Sequence, residues 1–243
     1  AITTDVSTKK AGKTPFKKED FLKAVQDDAF IEKMVAKYPK LLANLPSKDS
    51  GVRYRLEGYL FPATYNYGKD TTVKEMIDQM LAAMDQNLSP YYETLESKNI
   101  NVNEVLTLAS LVEKEGATDQ DRKDIASVFY NRLNQDMPLQ SNIAILYAEG
   151  KLGQKTTLKE DATINTELDS PYNIYKNTGL MPGPVDNPGV SAIEAAVNPS
   201  KTDYLYFVAN VENGEVFFAK TYEEHNKNVE EHVNSKLTQA SSN

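Results

Sequence analysis

Two helical patterns that meet at a single glycine constrain the fold of this chain more than any other feature. The first spans residues 103–115 (NEVLTLASLVEKE), where apolar side chains recur at the spacing of one helical face. Asn103 is a suitable N-cap for it, and Gly116 suits the position after its last residue. The second pattern opens at Thr118, with Asp121 as a capping acid three residues later. We therefore predict two helices joined at Gly116, the second with an apolar face of Ile125, Val128, Phe129 and Leu133.

Further helical patterns lie on both sides of this pair. Residues 15–45 have the spacing of two short amphipathic helices, and residues 71–100 have that of one longer helix capped by Thr71 or Thr72. A shorter helical pattern covers residues 191–199. The longer helix carries one stripe that we interpret as core, which consists of Met76, Ile77, Met80, Leu81 and Met84.

The β structure is predicted mainly in the second half of the chain. Residues 204–210 (YLYFVAN) and 215–220 (EVFFAK) flank the turn VENG, which is typical of a hairpin. Residues 56–67 predict a strand or an extended segment, and residues 142–150 leave helix and strand open. With a polar helix from residue 221 onwards, the elements predict a mixed α+β fold in which helices come first and a small antiparallel hairpin late.

The composition excludes several classes of protein. A formal net charge of -8 argues against general nucleic-acid binding, because such proteins need a basic surface. The absence of cysteine excludes disulfides, thiolate metal sites and cysteine catalysis. No apolar run approaches the ~20 residues of a membrane-spanning helix, and no signal peptide is recognisable. Because the chain begins at Ala1, we interpret it as a fragment of a longer protein.

Two carboxylates at the end of the first helical pattern are the candidates for catalysis. At 100° per residue, Glu115 lies about 70° from the mean apolar direction and Glu113 about 90° on the other side. The partial negative charge of a helix C-terminus and partial burial both raise the pKa of a carboxyl group. A glutamate that stays protonated near neutral pH is suited to general acid catalysis. The alternative, which the residues alone favour, is that both are solvated surface charges.

Two other features carry functional hypotheses. Residues 169–190 are rich in proline and glycine and too long for a plain connection, which predicts an ordered functional loop. His225 and His232 lie seven residues apart and could bind a metal together with Glu224 and Glu231. We favour the alternative that both histidines are exposed on a solvated helix face, so that we expect neither a metal nor another cofactor.

Seven short blocks, taken together, resemble one known family. In chain order they are LEGYLFPATY, LASLVEKEGA, IASVFYNRL, MPLQS, SPYNIYKNTGLMPGPVDNPG, AIEAAVNPSKTDYLYFV and EHNKNV. From roughly residue 52 to the C-terminus the chain is similar to the catalytic domain of the YceG-like family of endolytic murein transglycosylases. The polar, lysine-bearing residues 1–14 predict a linker or disordered end. The resemblance implies a helical segment at 15–50 that leads to a LysM-like module absent here, and a catalytic domain at 51–243.

The resemblance also implies an activity and a location. The family cleaves the β-1,4 bond between N-acetylmuramic acid and N-acetylglucosamine within peptidoglycan strands and leaves 1,6-anhydro ends. Its members act on the extracytoplasmic face of the bacterial membrane, held there by an N-terminal anchor that this chain lacks. Glycan strands are the expected partner, with cell-wall elongation or division machinery as further partners and no nucleic acid. The alternatives are a hydrolytic muramidase and a non-catalytic peptidoglycan-binding module.

The matching positions give the expected site residues. The catalytic acid of the family matches Glu115, and Glu57 matches a second recurrent acid that we expect in the cleft, where a hydrolase would use it as its second carboxylate. Gln140 and Ser141 are expected to contact N-acetyl or hydroxyl groups. The remaining expectation is a saccharide-facing wall of Asn173, Tyr175 and the following loop TGLMPGP.

Two residues have a role that the sequence does not decide, and two others differ from the family pattern. Asn131 and Arg132 could face the site or could be structural and bind loop carbonyl groups. Ala63 and Asn142 stand where the family commonly has aspartate, and we interpret the missing carboxylates as groups that braced loops.

Overall fold

The computed structural model describes residues 17–154, 164–210 and 213–235, so the predicted linker at residues 1–14 lies outside the described residues. Helices come first and a two-stranded antiparallel sheet comes late, which confirms the α+β class. The helices are α1 Lys18–Ala24, α2 Asp28–Lys37, α3 Val73–Leu88, α4 Tyr92–Ser97, α5 Val102–Glu115, α6 Asp119–Leu133, α7 Asn142–Ala148, α8 Val190–Val197 and α9 Tyr222–Val229. The strands are β1 Tyr206–Ala209 and β2 Val216–Ala219.

Most elements before the hairpin lie where the patterns predicted them. The two short helices predicted within 15–45 are α1 and α2, and the open case at 142–150 is helix α7. Residues 56–67 form a turn and extended chain without a strand. Within the described ranges, no helix is both long and apolar enough to span a bilayer.

The helix predicted for residues 71–100 has the expected core stripe but is not one helix. Thr72 caps α3 by accepting a hydrogen bond from the Glu75 N–H at 3.2 Å, and all five predicted stripe residues are buried. A 3₁₀ turn at Ser89–Tyr91 separates α3 from α4. The break lies at Pro90, which has no N–H to continue the hydrogen-bond ladder of α3.

Helix α5 is central to the core, and α6 and α8 pack against it. Its N-cap is Asn101 and not Asn103, because Asn101 Oδ1 accepts a hydrogen bond from the Glu104 N–H at 2.9 Å while the Glu104 carboxylate accepts one from the Asn101 N–H. Asn103 instead joins α5 to other segments. Its side chain accepts a hydrogen bond from the Tyr59 hydroxyl (3.1 Å) and donates one to the Pro182 carbonyl (3.0 Å).

Gly116 follows α5 as predicted, but it does not have the left-handed conformation for which glycine is usually needed after a helix. Its φ of -95° and ψ of 126° describe extended backbone that any residue adopts. A Cβ at this position would lie 2.6 Å from Arg122 Cγ and 3.1 Å from the Arg122 backbone. The glycine therefore allows the first turns of α6 to approach the end of α5, and this contact fixes the corner that carries Glu115.

The predicted hairpin is confirmed. Strand β1 pairs antiparallel with β2, with Phe207 opposite Phe218. The predicted polar tail is helix α9, which Thr221 caps by accepting a hydrogen bond from the Glu224 N–H at 3.2 Å. Helix α9 packs on both strands, and β1 also contacts α6. A π-helical turn, Glu230–Asn234, continues α9.

The loop at residues 182–189 is fastened to the turn that contains Gly58. The N–H groups of Gly58 and Leu60 both donate to Asn187 Oδ1 at 3.0 Å. Gly58 has a φ of 87°, which favours glycine, and a Cβ there would lie only 2.2 Å from Pro184 Cγ. The same loop is joined to α5, since the Val185 N–H donates to the buried Ser110 hydroxyl at 3.0 Å.

We expect Gly58→Ala to destabilise the protein more than Gly179→Ala. Gly179 has a similar φ of 84°, but nothing lies within 4 Å of its Cβ position, so alanine there measures the backbone cost alone. At Gly58 the contact with Pro184 adds a steric cost of about 1–3 kcal/mol. Urea denaturation of both variants measures the two free energies of unfolding. Equal losses would contradict the close packing of the turn on the loop.

Candidate active site

Glu115, the last residue of α5, lines a cavity of about 780 Å³. The walls come from the end of α5, from α7 and the chain before it, from the hairpin and from α9. The polar and aromatic side chains among the lining residues are those of Glu115, Arg132, Gln140, Asn142, Gln154, Tyr175, Tyr206, Phe207, Tyr222 and His225. Glu115 is the one carboxylate that lines this cavity within residues 17–154, 164–210 and 213–235.

Ser141 is the hydrogen-bond partner of Glu115. Its hydroxyl donates to Glu115 Oε1 at 2.7 Å and also accepts a hydrogen bond from the Ile143 N–H at 3.2 Å, which makes Ser141 the N-cap of α7. Burial raises the pKa of the Glu115 carboxyl, and the hydrogen bond from Ser141 partly offsets that rise. The net effect favours a protonated Glu115, which is the form that a general acid needs.

Glu113 has a different environment, although it precedes Glu115 by only two residues. Its Oε2 accepts a hydrogen bond from the Gly189 N–H at 3.1 Å, and its Oε1 lies 3.9 Å from the guanidinium of Arg122. Glu113 therefore joins α5 to the start of α8 and to α6. Glu113 thus makes structural contacts, whereas Glu115 faces the cavity. The structure in this way distinguishes the two carboxylates that the sequence left open.

Asn131 and Arg132 have the structural contacts that the sequence left as one alternative. Asn131 donates to the carbonyls of Thr202 (3.0 Å) and Tyr204 (2.9 Å). The guanidinium of the buried Arg132 donates to three carbonyls and a side-chain amide, which are those of Leu205, Pro138, Leu139 and Gln140. These bonds hold the chain before α7 against the hairpin, so that Arg132 shapes the cavity that it also lines.

Gln140 lies at the edge of the cavity in an unusual backbone conformation. Its φ is 55°, a left-handed value that is uncommon for a residue other than glycine, and its N–H donates to the Ile174 carbonyl at 3.0 Å. The Arg132 guanidinium donates to Gln140 Oε1 at 3.2 Å. The side-chain NH₂ group is then the donor that Gln140 can offer to a ligand.

Tyr175 and Asn142 form a pair in the wall beside Glu115. The Tyr175 hydroxyl donates to Asn142 Oδ1, and Asn142 directly follows Ser141 in the chain. Burial and the nearby charge of Glu115 raise the pKa of Tyr175 to about 12, so the hydroxyl keeps its proton. The amide of Asn142 fills the position where the family commonly has aspartate, and it accepts this hydrogen bond without adding a negative charge. Ala63, the other departure, is exposed, and nothing in the structure explains it.

Asn173 is buried and does not line the cavity. Its side-chain NH₂ donates to the carbonyls of Thr166 (2.9 Å) and Leu168 (2.7 Å), and its Oδ1 accepts a hydrogen bond from the Tyr175 N–H (3.1 Å). Asn173 therefore braces the loop that presents Tyr175. A direct contact of Asn173 with a saccharide stays a prediction.

Glu57 lies in a second buried cluster and is not among the residues that line the cavity of Glu115. Its carboxylate accepts a hydrogen bond from the hydroxyl of Tyr147 on α7. The Tyr147 ring packs on Tyr172, with 4.8 Å between ring centroids, and the Arg53 guanidinium lies 4.8 Å from its centre. Burial raises the pKa of Glu57 to about 7, against the opposing effects of the Tyr147 hydrogen bond and the Arg53 charge. Glu57 thus joins the turn at residues 55–58 to α7.

The two histidines are not the exposed pair that the sequence favoured. The ring of His225 stacks on Tyr206 at 5.3 Å and that of His232 stacks on Phe217 at 3.6 Å, because α9 lies against the hairpin. Across the part of the chain that the structure describes, no three His, Asp or Glu side chains lie close enough to hold a metal ion. His225 lines the cavity, as does Tyr222.

The sequence did not identify the packing of these aromatic rings beside the cavity. The hairpin pattern and the polar helix from residue 221 were both recognisable, but their packing on each other was not. The spacing of Tyr222 and His225, three residues apart on one helix, is the signal that could have found it.

Comparisons with known proteins find one family and relatives that share one name. The model of the YceG-like family matches residues 4–231, and so begins well before the first sequence block at residue 56. An endolytic murein transglycosylase of Streptococcus pneumoniae (strain D39) is 67% identical over 219 residues, which are 90% of this chain and 40% of that protein. An endolytic murein transglycosylase of Bacillus subtilis (strain 168) is 42% identical over 237 residues, 97% of this chain and 64% of that protein.

A solved structure is also similar. The crystal structure of a YceG-like protein from Listeria monocytogenes has a TM-score of 0.79 and 47% identity, and the match covers 87% of this chain and 67% of that one. The chain spans 40% and 64% of the length of the two curated relatives above. Their names therefore describe longer proteins than the chain described here.

We expect Glu57→Gln to remove a pH dependence of stability. The folded-state pKa of about 7 lies above the ordinary value of 4.5, so the stability linked to this group is fully present below about pH 4.5 and is lost as the pH rises to about 7. Between pH 4.5 and 8 the wild type should therefore lose about 3 kcal/mol of its free energy of unfolding through this group, and Glu57→Gln should not. Urea denaturation across this range measures the difference, with Glu96→Gln on the exposed face of α4 as control. A difference that does not change with pH would contradict the burial of Glu57.

Proposed function

Because this chain belongs to the YceG-like family, we propose that it is the catalytic part of an endolytic lytic transglycosylase that acts on peptidoglycan. Its substrate is the β-1,4 bond between N-acetylmuramic acid and N-acetylglucosamine inside glycan strands. Its products end in 1,6-anhydro-N-acetylmuramic acid. Two relatives named endolytic murein transglycosylase support the reaction class, and each of them matches 90% or more of this chain.

One observation carries the mechanism: the cavity has a single carboxylate among its described lining residues, and that carboxylate is Glu115. Glycoside hydrolases of the usual kind place two carboxyl groups on either side of the reacting bond. A lytic transglycosylase needs one, because a hydroxyl group of the substrate replaces both the second carboxylate and the attacking water. The raised pKa of Glu115 suits that single group to donate a proton first.

The reaction then runs in two steps on one residue. The protonated Glu115 carboxyl gives its proton to the glycosidic oxygen, the bond from the muramyl C1 to that oxygen breaks, and the departing strand keeps a hydroxyl. The 6-hydroxyl of the same muramyl unit attacks C1, and its proton passes to the Glu115 carboxylate. No water is consumed and Glu115 returns to its protonated form. The attack is intramolecular, which removes the entropic cost of recruiting a second reactant.

The other residues of the site position this reaction. Ser141 orients the Glu115 carboxyl through its hydrogen bond, and it stabilises the carboxylate that exists between the two steps. Gln140 and Tyr175 line the cavity and contact the sugar, through the amide NH₂ and the ring, respectively. Asn173 and Glu57 act through other residues. Asn173 holds the chain at Tyr175, and Glu57 holds α7.

The resemblance extends the proposal to the cellular context. The substrate lies outside the cell membrane, so we place this chain on the extracytoplasmic face, held by an anchor that belongs to another part of the protein. We expect the protein partners of such an enzyme to belong to the cell-wall elongation or division machinery.

We expect Glu115→Gln to abolish cleavage of uncrosslinked glycan strands. The amide has no proton to give to the leaving oxygen, so the rate should fall by a factor of about 100 or more. Mass spectrometry of the products should detect internal fragments with 1,6-anhydro ends from the wild-type chain and none from the variant.

The matched control is Glu113→Gln, which makes the same chemical change two residues away. Its amide oxygen can still accept the Gly189 N–H, and its side chain does not line the cavity, so cleavage should persist. Reducing ends in place of anhydro ends would favour a hydrolase. Equal activity of the wild type and Glu115→Gln would exclude Glu115 as the acid, and a wild type that binds strands without cleaving them would favour a binding module.

A further inference from the structure

Three aromatic rings form one wall of the Glu115 cavity that the proposed reaction does not use. Tyr206 lies on β1, and Tyr222 and His225 lie one helical turn apart on α9. The ring centroids are 5.3 Å apart for Tyr206 and His225, 5.9 Å for Tyr206 and Tyr222, and 6.4 Å for Tyr222 and His225. All three residues line the cavity. We refer to this set as the aromatic wall.

The exposure of the aromatic wall differs from that of a hydrophobic core. Tyr222 is 64% exposed, the highest value among the large hydrophobic side chains that the structure describes as exposed. Tyr206 and His225 are half-buried behind it. An exposed ring whose neighbours are already packed contributes little to folding, and its outer face is accessible to a ligand.

The inner part of the wall is held rigidly. The Arg132 guanidinium lies 5.1 Å from the centre of the Tyr206 ring, and its hydrogen bonds to the Leu205 carbonyl and the chain before α7 fix it in place. Burial and the positive charge of Arg132 lower the pKa of His225, so the imidazole is neutral near neutral pH. The two inner rings therefore present flat, uncharged and pre-organised surfaces, which a ligand can cover at little cost in side-chain ordering.

The chemistry of the wall fits a sugar ring. A pyranose has C–H groups on its faces and hydroxyl or N-acetyl groups at its rim, and tyrosine and histidine have the matching combination of an apolar face and a polar edge. His225 Nδ1 is buried without a hydrogen-bond partner among the described residues, so the wall contains an unsatisfied polar atom beside the cavity.

We propose that Tyr206, Tyr222 and His225 form a saccharide subsite in which an N-acetylhexosamine unit of the strand, beyond the two units at the reacting bond, packs on the ring of Tyr222. The subsite belongs to the same cavity as Glu115 but to different elements, since Glu115 comes from α5 and the aromatic wall from β1 and α9. An endolytic enzyme must hold sugar units on both sides of the bond that it cleaves, and a subsite on other elements of the same cavity meets that need. This assignment rests on the proposed function for the identity of the polymer, although strand binding can be measured without cleavage.

The test measures binding in a chain that cannot cleave. Glu115→Gln protein is titrated calorimetrically with a hexasaccharide of alternating N-acetylglucosamine and N-acetylmuramic acid without stem peptides. Adding Tyr222→Ala should weaken binding about tenfold, which is about 1.4 kcal/mol, whereas Tyr222→Phe should bind within twofold because it keeps the ring. Tyr67→Ala, an exposed tyrosine that does not line the cavity, is the matched control and should leave binding unchanged.

The outcomes separate this inference from the proposed function. The midpoint of thermal unfolding should be the same for all Tyr222 variants, so a loss of binding with an unchanged midpoint is not misfolding. Binding of Tyr222→Ala within twofold of its parent overturns the subsite, and so does a parent that does not bind the hexasaccharide. A loss that occurs only with strands that carry stem peptides overturns it in favour of a peptide site. Anhydro ends are assayed separately on the wild-type chain, so either claim can fail while the other stands.

Discussion

The partial burial of one carboxyl group, that of Glu115, is the constraint on which the rest of the site depends. An ionised carboxylate in a protein interior is costly unless a cation or several donors compensate it. In the described residues, Arg122 approaches Glu113 but no ion pair reaches Glu115, whose hydrogen bond comes from the neutral hydroxyl of Ser141. The surroundings of Glu115 therefore favour its protonated form and tolerate the ionised form for the duration of one reaction step.

Several features of the fold serve to keep that carboxyl in place. Gly116 lets α6 approach the end of α5, and the N-cap of α7 provides the hydroxyl of Ser141. Helix α7 is in turn joined to the turn at Gly58 through Tyr147 and Glu57. The loop that packs on Gly58 also bonds twice to α5, through the Ser110 hydroxyl and through the Glu113 carboxylate. Contacts between residues far apart in the sequence thus together hold the hydrogen bond from Ser141 to Glu115 in its geometry.

Local patterns predicted the elements well because most of them carry their own signals. The stripe of α3, the hairpin turn with Asn213 and Gly214, and the position of Glu115 at the edge of a buried helix face all follow from residues close in the chain. The cap of α5 was misplaced because Asn101 and Asn103 are both competent. Glu104, three residues after Asn101, completes the capping box that decides between them, and Asn103 instead contacts Tyr59 and Pro182.

What local patterns missed depends on packing between distant segments. The need for glycine at residue 116 comes from Arg122 and not from the backbone angles. The aromatic wall forms only when α9 packs on the hairpin, which turns His225 from an expected surface residue into part of the cavity. Local patterns also gave no sign of the hydrogen bond between Glu57 and Tyr147 on α7, 90 residues along the chain, while the place in the cleft that the resemblance implies for Glu57 stays a prediction.

The most direct test of this account is the titration of the Glu115 carboxyl by carbon-13 NMR. Protein labelled in its glutamate carboxyl carbons gives one signal that is lost in Glu115→Gln, which assigns it. The account predicts that this signal titrates clearly above the ordinary value of 4.5, because burial raises the pKa more than Ser141 lowers it. A midpoint at or below that value would mean that Glu115 is ionised near neutral pH, and it would contradict the assignment of Glu115 as the proton donor.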